Sequence, residues 1–273
     1  MEKAELGQHI LSRYNEDLER LRSDVLQMGG LAESQLQQAL HALASSDSDL
    51  AADVVRVEAR VNQMEVEIDE ECSRILATRA PAASDLRLVL AMIKTITDLE
   101  RVGDEAHKIA NIGVRHGSMD RGGTDSYRVI RHLGRVASEL LHDALDVFAR
   151  LDAQAAVAAV KRDRLLDEEF DAVQRQCITF MIEDPRTIRA AIDLLWVARA
   201  LERVGDHAKN ICEYVIYMVG GRDVRHTAIA EVERQLQVVS ARVSGVVGHE
   251  LSGVASDTRG ESAPPISPPG SGH

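Results

Sequence analysis

The chain has 273 residues, with 32 Lys and Arg against 44 Asp and Glu, a formal net charge of −12 and only 3% aromatic residues. An acidic balance of this size argues against broad nucleic-acid binding, which needs a basic surface. Ala, Leu, Val, Glu, Arg and Asp dominate, which suits helices better than sheets, and no apolar run approaches the roughly 20 residues that span a bilayer.

The opening MEKAELGQHI lacks the apolar core of a signal peptide. A first helix is expected from about Tyr14 to Ser45, because Leu18, Leu21, Val25, Met28, Leu36, Leu40 and Leu43 recur at helical spacing. Asp47 or Ser48 can cap a second helix, which carries Val54, Val57, Val61, Met64, Ile68 and Ile75 and is broken by Pro81. Ser84 is a cap for a third, from Asp85 to about Val114. A polar, glycine-rich stretch from Gly113 to Ser126 separates these helices from three more, at Arg128 to Arg150, Ala153 to Ile182 and Pro185 to Val219. Asp184 before Pro185 supplies the cap and first-turn proline that helices favour. A short helix is expected over Ala228 to Val247, and the Gly-, Ser- and Pro-rich stretch from Gly253 to His273 reads as disordered.

The second set of helices repeats the first. Leu-Glu-Arg-Val-Gly-Asp occurs at Leu99 to Asp104 and again at Leu201 to Asp206, an offset of 102. Upstream the offset becomes 105, pairing Gly29 with Gly134, Leu40 with Leu145, Asp47 with Asp152 and Cys72 with Cys177. The change falls where Arg79 to Ser84 faces the shorter Glu183 to Pro185, as expected if a loop absorbs it. Short loops between long helices imply antiparallel neighbours. The fold expected is all-α: two tandem antiparallel three-helix bundles related by internal duplication, with a disordered C-terminal tail. The units are residues 1–118, 119–228 and 229–273. Three cysteines, two of them at matching positions, read as buried residues of a cytoplasmic protein rather than a disulfide framework.

Stepping about 100° per residue from Ile93, Glu100 and Asp104 fall roughly 20° to either side of it, along the apolar stripe, whereas Asp98 and Glu105 fall on the opposite, polar arc. Glu202 and Asp206 sit equivalently beside Leu195. A buried unpaired carboxylate costs several kcal/mol by order of magnitude, so each pair needs a partner. The second helix of each unit offers more oxygen donors four apart, Glu58 with Asn62 and Asp163 with Asp167. Such a set suits hard cations (Mg, Mn, Ca or Fe) rather than zinc. The alternative is salt bridging: Glu100 or Asp104 to Arg56 or Arg60, and Asp206 to Arg162 or Arg164. Gly103 and Gly205, each between two acids, allow close helix packing or the approach of an ion. No Cys-x-x-Cys or phosphate-cradling loop occurs, and the Glu-x-x-His of di-iron bundles is absent.

The two Glu-Arg-Val-Gly-Asp repeats resemble the PhoU family of phosphate-transport regulators. So do Val25-Leu-Gln-Met-Gly-Gly30, Asp47-Ser-Asp-Leu50, Ala83-Ser-Asp-Leu-Arg-Leu88, Leu141-His-Asp-Ala-Leu-Asp146, Glu183-Asp-Pro-Arg-Thr187 and Asn210-Ile-Cys-Glu213. The similarity runs over about residues 8 to 228. It implies a non-enzymatic, cytoplasmic, often dimeric protein that represses the phosphate-starvation regulon when phosphate is plentiful. The implied partners are the ATPase side of the phosphate-specific ABC transporter and the sensor histidine kinase of the phosphate two-component system, with peripheral membrane association besides. It also implies multinuclear metal binding through Glu/Asp-x-x-x-Asp motifs, matched here by Glu100 and Asp104 and by Glu202 and Asp206. Because Asn62 stands where the second unit has Asp167, weaker metal binding is expected at the first site. The competing class is a carboxylate-bridged metal-storage or metal-dependent hydrolytic bundle.

Overall fold

The computed structural model describes residues 3–81, 83–115, 125–225 and 227–234. Regular structure among them is helical: α1 (Lys3–Ser45), α2 (Ser48–Arg79), α3 (Ala83–Arg115), α4 (Asp125–Arg150), α5 (Ala153–Glu183), a 3₁₀ turn (Pro185–Thr187) and α6 (Ile188–Gly220). The six long helices expected between residues 14 and 219 are all present. α1 begins well before Tyr14. Residues 229–234 are helical, while the rest of the 228–247 helix, the tail and the boundary between 118 and 119 lie outside the described residues.

Local chemistry sets the helix ends. Asp47 caps α2 by accepting from the amides of Asp49 and Leu50, and its repeat partner Asp152 caps α5 through Gln154 and Ala155. These orphan donors at a helix start need acceptors, and an aspartate held in extended backbone supplies one. The two units part at the next loop. α2 ends on Ala80 in the left-handed region, with φ 46°, whereas Asp184 caps the 3₁₀ turn built on Pro185. Ser84 donates to the side chain of Asp85 and does not cap α3, which starts a residue earlier, at Ala83.

α1, α2 and α3 pack on one another, as do α4, α5 and α6; α3 then lies against α6, and α1 against α4. One hydrophobic core runs through both units. Leu21, Met28 and Leu36 of α1, Met92 and Leu99 of α3, Leu133, Leu141 and Phe148 of α4 and Val204 and Ile211 of α6 are all inaccessible to solvent. Cys72, Cys177 and Cys212 are buried free thiols within it.

Glycines mark where the helices approach most closely. A Cβ on Gly29 would collide with the Leu145 side chain, and one on Gly134 would lie 2.7 Å from Cδ2 of Leu40. Both glycines and both leucines correspond under the 105-residue offset, so the α1–α4 contact is reciprocal. Gly113, expected to open the linker, instead sits buried inside α3 against the backbone of α1.

A methyl at Gly113 would stand 2.8 Å from the Leu43 Cα, where neither backbone can yield, while a methyl at Gly30 would meet no neighbouring group within 4 Å. Gly113→Ala is therefore expected to destabilise the fold by about 1–3 kcal/mol, the scale of core overpacking. Gly30→Ala, at an open helical position, is expected to stabilise it by about 0.5–1 kcal/mol. Urea denaturation midpoints of the two variants check the opposite signs.

Candidate functional site

The eight residues singled out by sequence lie along two helix pairs, α2 with α3 and α5 with α6. They form ledges at the boundary of each bundle, not clusters in its interior. Glu58, Glu100 and Asp104 are half-buried, Asn62 is exposed, Asp163 is buried, Glu202 is half-buried, and Asp167 and Asp206 are exposed. The apolar interior directly behind them is taken by Leu99, Val102, Leu201 and Val204, all with no exposed surface. A carboxylate within 20° of the stripe is thus carried to its shoulder, where its oxygens still reach water.

The glycines between the acids resolve toward packing. Gly103 makes room for the buried Gln35 of α1, whose Nε2 donates to the carbonyls of Val54 and Gly103, both at 3.3 Å. Gly205 makes room for Leu166.

Like charges crowd on both ledges. The Glu100 carboxyl is pushed above its usual range by burial and then by Asp104, with Glu65 and Glu58 adding to the effect. Burial followed by Asp206 raises Glu202, burial followed by Asp163 raises Asp206, and burial followed by Asp163 and Asp206 raises Asp167. The arginines expected to answer them go elsewhere: Arg56 to Asp53, Arg60 to Glu67, Arg162 to Asp143 and Glu139, and Arg164 to Glu168. Arg101 stays near its own acids, 3.5 Å from Glu100 and 3.8 Å from Asp104, the latter too far for a hydrogen bond.

Closer basic side chains come from within each pair. His107 Nδ1 contacts Glu58. Lys209 Nζ lies 2.8 Å from Asp163 Oδ2, and Arg199 Nη1 lies 2.8 Å from Glu202 Oε1 while its guanidinium stacks over Phe170. Glu202 Oε2 is buried with no hydrogen-bond partner. Asp206 and Lys209 open onto a cleft of about 730 Å³ that runs along α6 to Ala228 and Ile229. Oxygen donors with raised proton affinity, one of them unpartnered, have the chemistry a hard cation requires. Among the described residues, however, no three His, Cys, Asp or Glu side chains already converge as a coordination cage. A bound ion would have to draw them in.

Two acids assigned to the polar arc prove to be buried. Asp98 and Glu105 are 6% and 3% exposed, because α6 of the other unit covers the arc that a single bundle would leave to water. Asp98 Oδ1 accepts from His207 Nδ1 at 2.7 Å and from Asn210 at 3.1 Å. Glu105 meets Arg203 at 2.7 Å and Lys108 at 3.0 Å. Lys94 completes the seam, its ammonium 5.5 Å from the Tyr214 ring centre and 5.7 Å from that of Tyr217. Arg203 is therefore a cross-link between units. Sequence reasoning missed this seam, and also His107 and Lys209. The 102-residue offset pairs those two with each other, which is the signal that could have found them.

A PhoU domain family model matches residues 25–113 and 130–215. A phosphate-specific transport system accessory protein PhoU homolog of Pseudomonas putida is 45% identical over 252 residues, covering 90% of this chain and 97% of the relative. The accessory protein PhoU of Escherichia coli K12 is 43% identical over 236 residues, covering 86% and 97%. Among solved structures, PhoU from Pseudomonas aeruginosa superposes with a TM-score of 0.73 at 45% identity, covering 77% of this chain and 100% of that one. The phosphate transport system regulatory protein PhoU from Streptococcus pneumoniae gives 0.71 at 28% identity, covering 77% and 99%.

The crowding on the second ledge has a measurable sign. A carboxyl raised in the folded state binds its proton more readily there than in the unfolded chain, so stability falls as pH rises from the ordinary carboxylate value, 4.5 for glutamate, through the folded one. With a chelator present, Glu202→Gln is expected to raise the melting temperature at pH 7. The gain should vanish below about pH 4, where the acid is protonated in both states. Scanning calorimetry across this range decides it, and a gain independent of pH would contradict the repulsion.

Proposed function

Because the chain belongs to the PhoU family, we propose that it is an accessory protein of a phosphate-specific transport system that restrains phosphate uptake and the phosphate-starvation regulon when phosphate is plentiful. The observation that supports this most strongly is identity of 43–45% with named accessory proteins over nearly their whole length. The match includes both tandem units rather than one shared module. The finer reading is a cytoplasmic, homodimeric, non-enzymatic adaptor that docks on the transporter's ATPase subunit and on a sensor histidine kinase. No helix among the described residues is long and apolar enough to cross a membrane.

The exposed surface suits a docking role. On α6, Ile188, Ile192 and Trp196 stand out at four-residue intervals, and Ile178 and Ile182 do the same on α5. Such a stripe on each of two neighbouring helices is the kind of face that marks interaction sites. The acidic ledges would contribute cation binding. Glu58, Glu100 and Asp104 in the first unit, and Asp163, Asp167, Glu202 and Asp206 in the second, supply the oxygens. A hard cation there would cancel the repulsion that raises their proton affinities and would stiffen the helix pairs that bear the docking face. The unpartnered oxygen of Glu202 supports that reading over complete salt bridging. The hydrolytic alternative needs substrate turnover, whereas the adaptor needs only binding.

Deleting the gene in its own host is expected to derepress the phosphate-starvation phosphatases in high-phosphate medium, read as phosphatase activity per cell. Restoration by the wild-type chain, but not by Trp196→Asp, would tie that effect to the α6 face. Unchanged repression in the deletion strain would remove the regulatory reading.

A further inference from the structure

The chain carries 44 acidic side chains against 32 lysines and arginines, yet the cleft along α6 reverses that balance. It is lined by Arg199, Arg203, His207, Lys209 and Arg225, against two acids, Asp206 and Glu213. Helical spacing makes the row. Positions 199, 203, 207, 210 and 213 follow one another at steps of three or four and so share one face of α6. Gly221, at φ 71°, ends the helix, and the chain beyond it supplies Arg225, Thr227, Ala228 and Ile229 to the same cleft. The first unit lacks this row: where the second has Arg199 and His207, it has Thr97 and Glu105.

The bases on α6 are anchored from behind. Arg203 meets Glu105 through Nε at 2.7 Å, Lys209 meets Asp163 at 2.8 Å, and His207 Nδ1 meets Asp98 at 2.7 Å. Those three acids are between 3% and 6% exposed, so the negative charge lies behind the wall and the bases form its surface. Arg203 and Arg199 keep 45% and 52% of their side-chain surface open to water. A guanidinium has five N–H donors and an ammonium three, more than one carboxylate oxygen takes up. His207 adds an independent sign. Its Nδ1 is committed to Asp98, while its Nε2 is buried with no hydrogen-bond partner in the protein, and a buried polar atom of that kind calls for a partner from elsewhere.

We propose that this cleft binds phosphate, either as the free ion or as the terminal group of a small phosphate ester. Arginine forks match the paired oxygens of a tetrahedral oxyanion. The two acids choose among oxyanions. Phosphate near neutral pH keeps a hydroxyl that donates to a carboxylate, whereas sulfate has none and meets only the carboxylate's charge. A group placed to bond a hydroxyl discriminates against the analogue that lacks it. His207 suits phosphate in either of its forms: a neutral Nε2 accepts from the hydroxyl, and a protonated ring donates to a bare oxygen. The volume of about 730 Å³ exceeds what the bare ion fills and falls within the range of small-molecule sites. The apolar surface of Val160, Ala228 and Ile229 is available to the organic part of an ester. Binding is argued from the cleft alone; its use as a signal of phosphate supply rests on the accessory role proposed above.

The test is calorimetric titration of the full chain, freed of metal with chelator, using inorganic phosphate, sulfate and adenosine monophosphate in turn. One equivalent of phosphate is expected to bind, with sulfate weaker by at least about tenfold. Arg199→Gln and Arg225→Gln are each expected to weaken phosphate binding by about tenfold, the scale of one charge-assisted hydrogen bond. Arg225 lies outside the helices and pairs with the half-exposed Asp223, so its loss should leave the melting temperature of the ligand-free chain unchanged. Glu213→Gln is expected to narrow the gap between phosphate and sulfate. Arg164→Gln, at an exposed position outside the cleft, should alter nothing. Tighter binding of adenosine monophosphate than of phosphate assigns the ester, and the reverse order assigns the free ion. Absence of saturable binding by both, sulfate binding as tight as phosphate, or an equal loss in Arg164→Gln and Arg225→Gln would overturn the proposal. Derepression on gene deletion is blind to these titrations, so the accessory role and the phosphate site fail separately.

Discussion

The contact of α3 with α6 is the constraint on which the rest of the structure depends. It buries the faces that would otherwise be the outer surfaces of two separate bundles, and it joins their apolar interiors into one core. The seam is not purely apolar. Asp98 and Glu105 are met inside it by His207, Asn210, Arg203 and Lys108, and all but Lys108 of these partners come from the opposite unit. Buried ion pairs contribute little net stability against an apolar replacement but fix register, because a slipped helix would strand a carboxylate without a partner. The register fixed here holds both acidic ledges at set positions relative to each other.

The seam also breaks the symmetry inherited from duplication. Asp98 corresponds to Ala200, and Glu105 to His207, so the polar cross-links run from α3 acids to α6 bases without a mirrored set. An antiparallel helix pair between identical repeats would be forced to duplicate every contact. Divergence at a few positions replaced two weak copies with one complementary arrangement. The ledges diverged as well, with His107 beside Glu58 in one unit and Lys209 beside Asp163 in the other, so the two halves share an architecture without sharing every contact.

The sequence made the helices, the caps at Asp47 and Asp152 and the tandem arrangement legible, because each depends on spacing within one helix or one loop. What it concealed depends on a second helix. The angular reckoning that placed Asp98 and Glu105 in water was sound for an isolated bundle and failed because α6 lies over that arc. The same reckoning carried Glu100 and Asp104 too far inward, since a deviation of a few tens of degrees separates the core from its shoulder. Gly113 read as the start of a linker because its composition matched one; only the closeness of Leu43 reveals it as a packing position. The bases on each ledge are legible in the sequence once the offsets of 102 and 105 are applied to bases as well as acids.

The reciprocal fit of Gly29 with Leu145 and of Gly134 with Leu40 has a consequence for the origin of the chain. Each half carries one socket and one plug, spaced so that either half could receive another copy of itself. A gene encoding a single three-helix unit would have formed a two-fold dimer through that same pair of notches. Within one chain the same contact is intramolecular, set by the tether between the units and not by concentration.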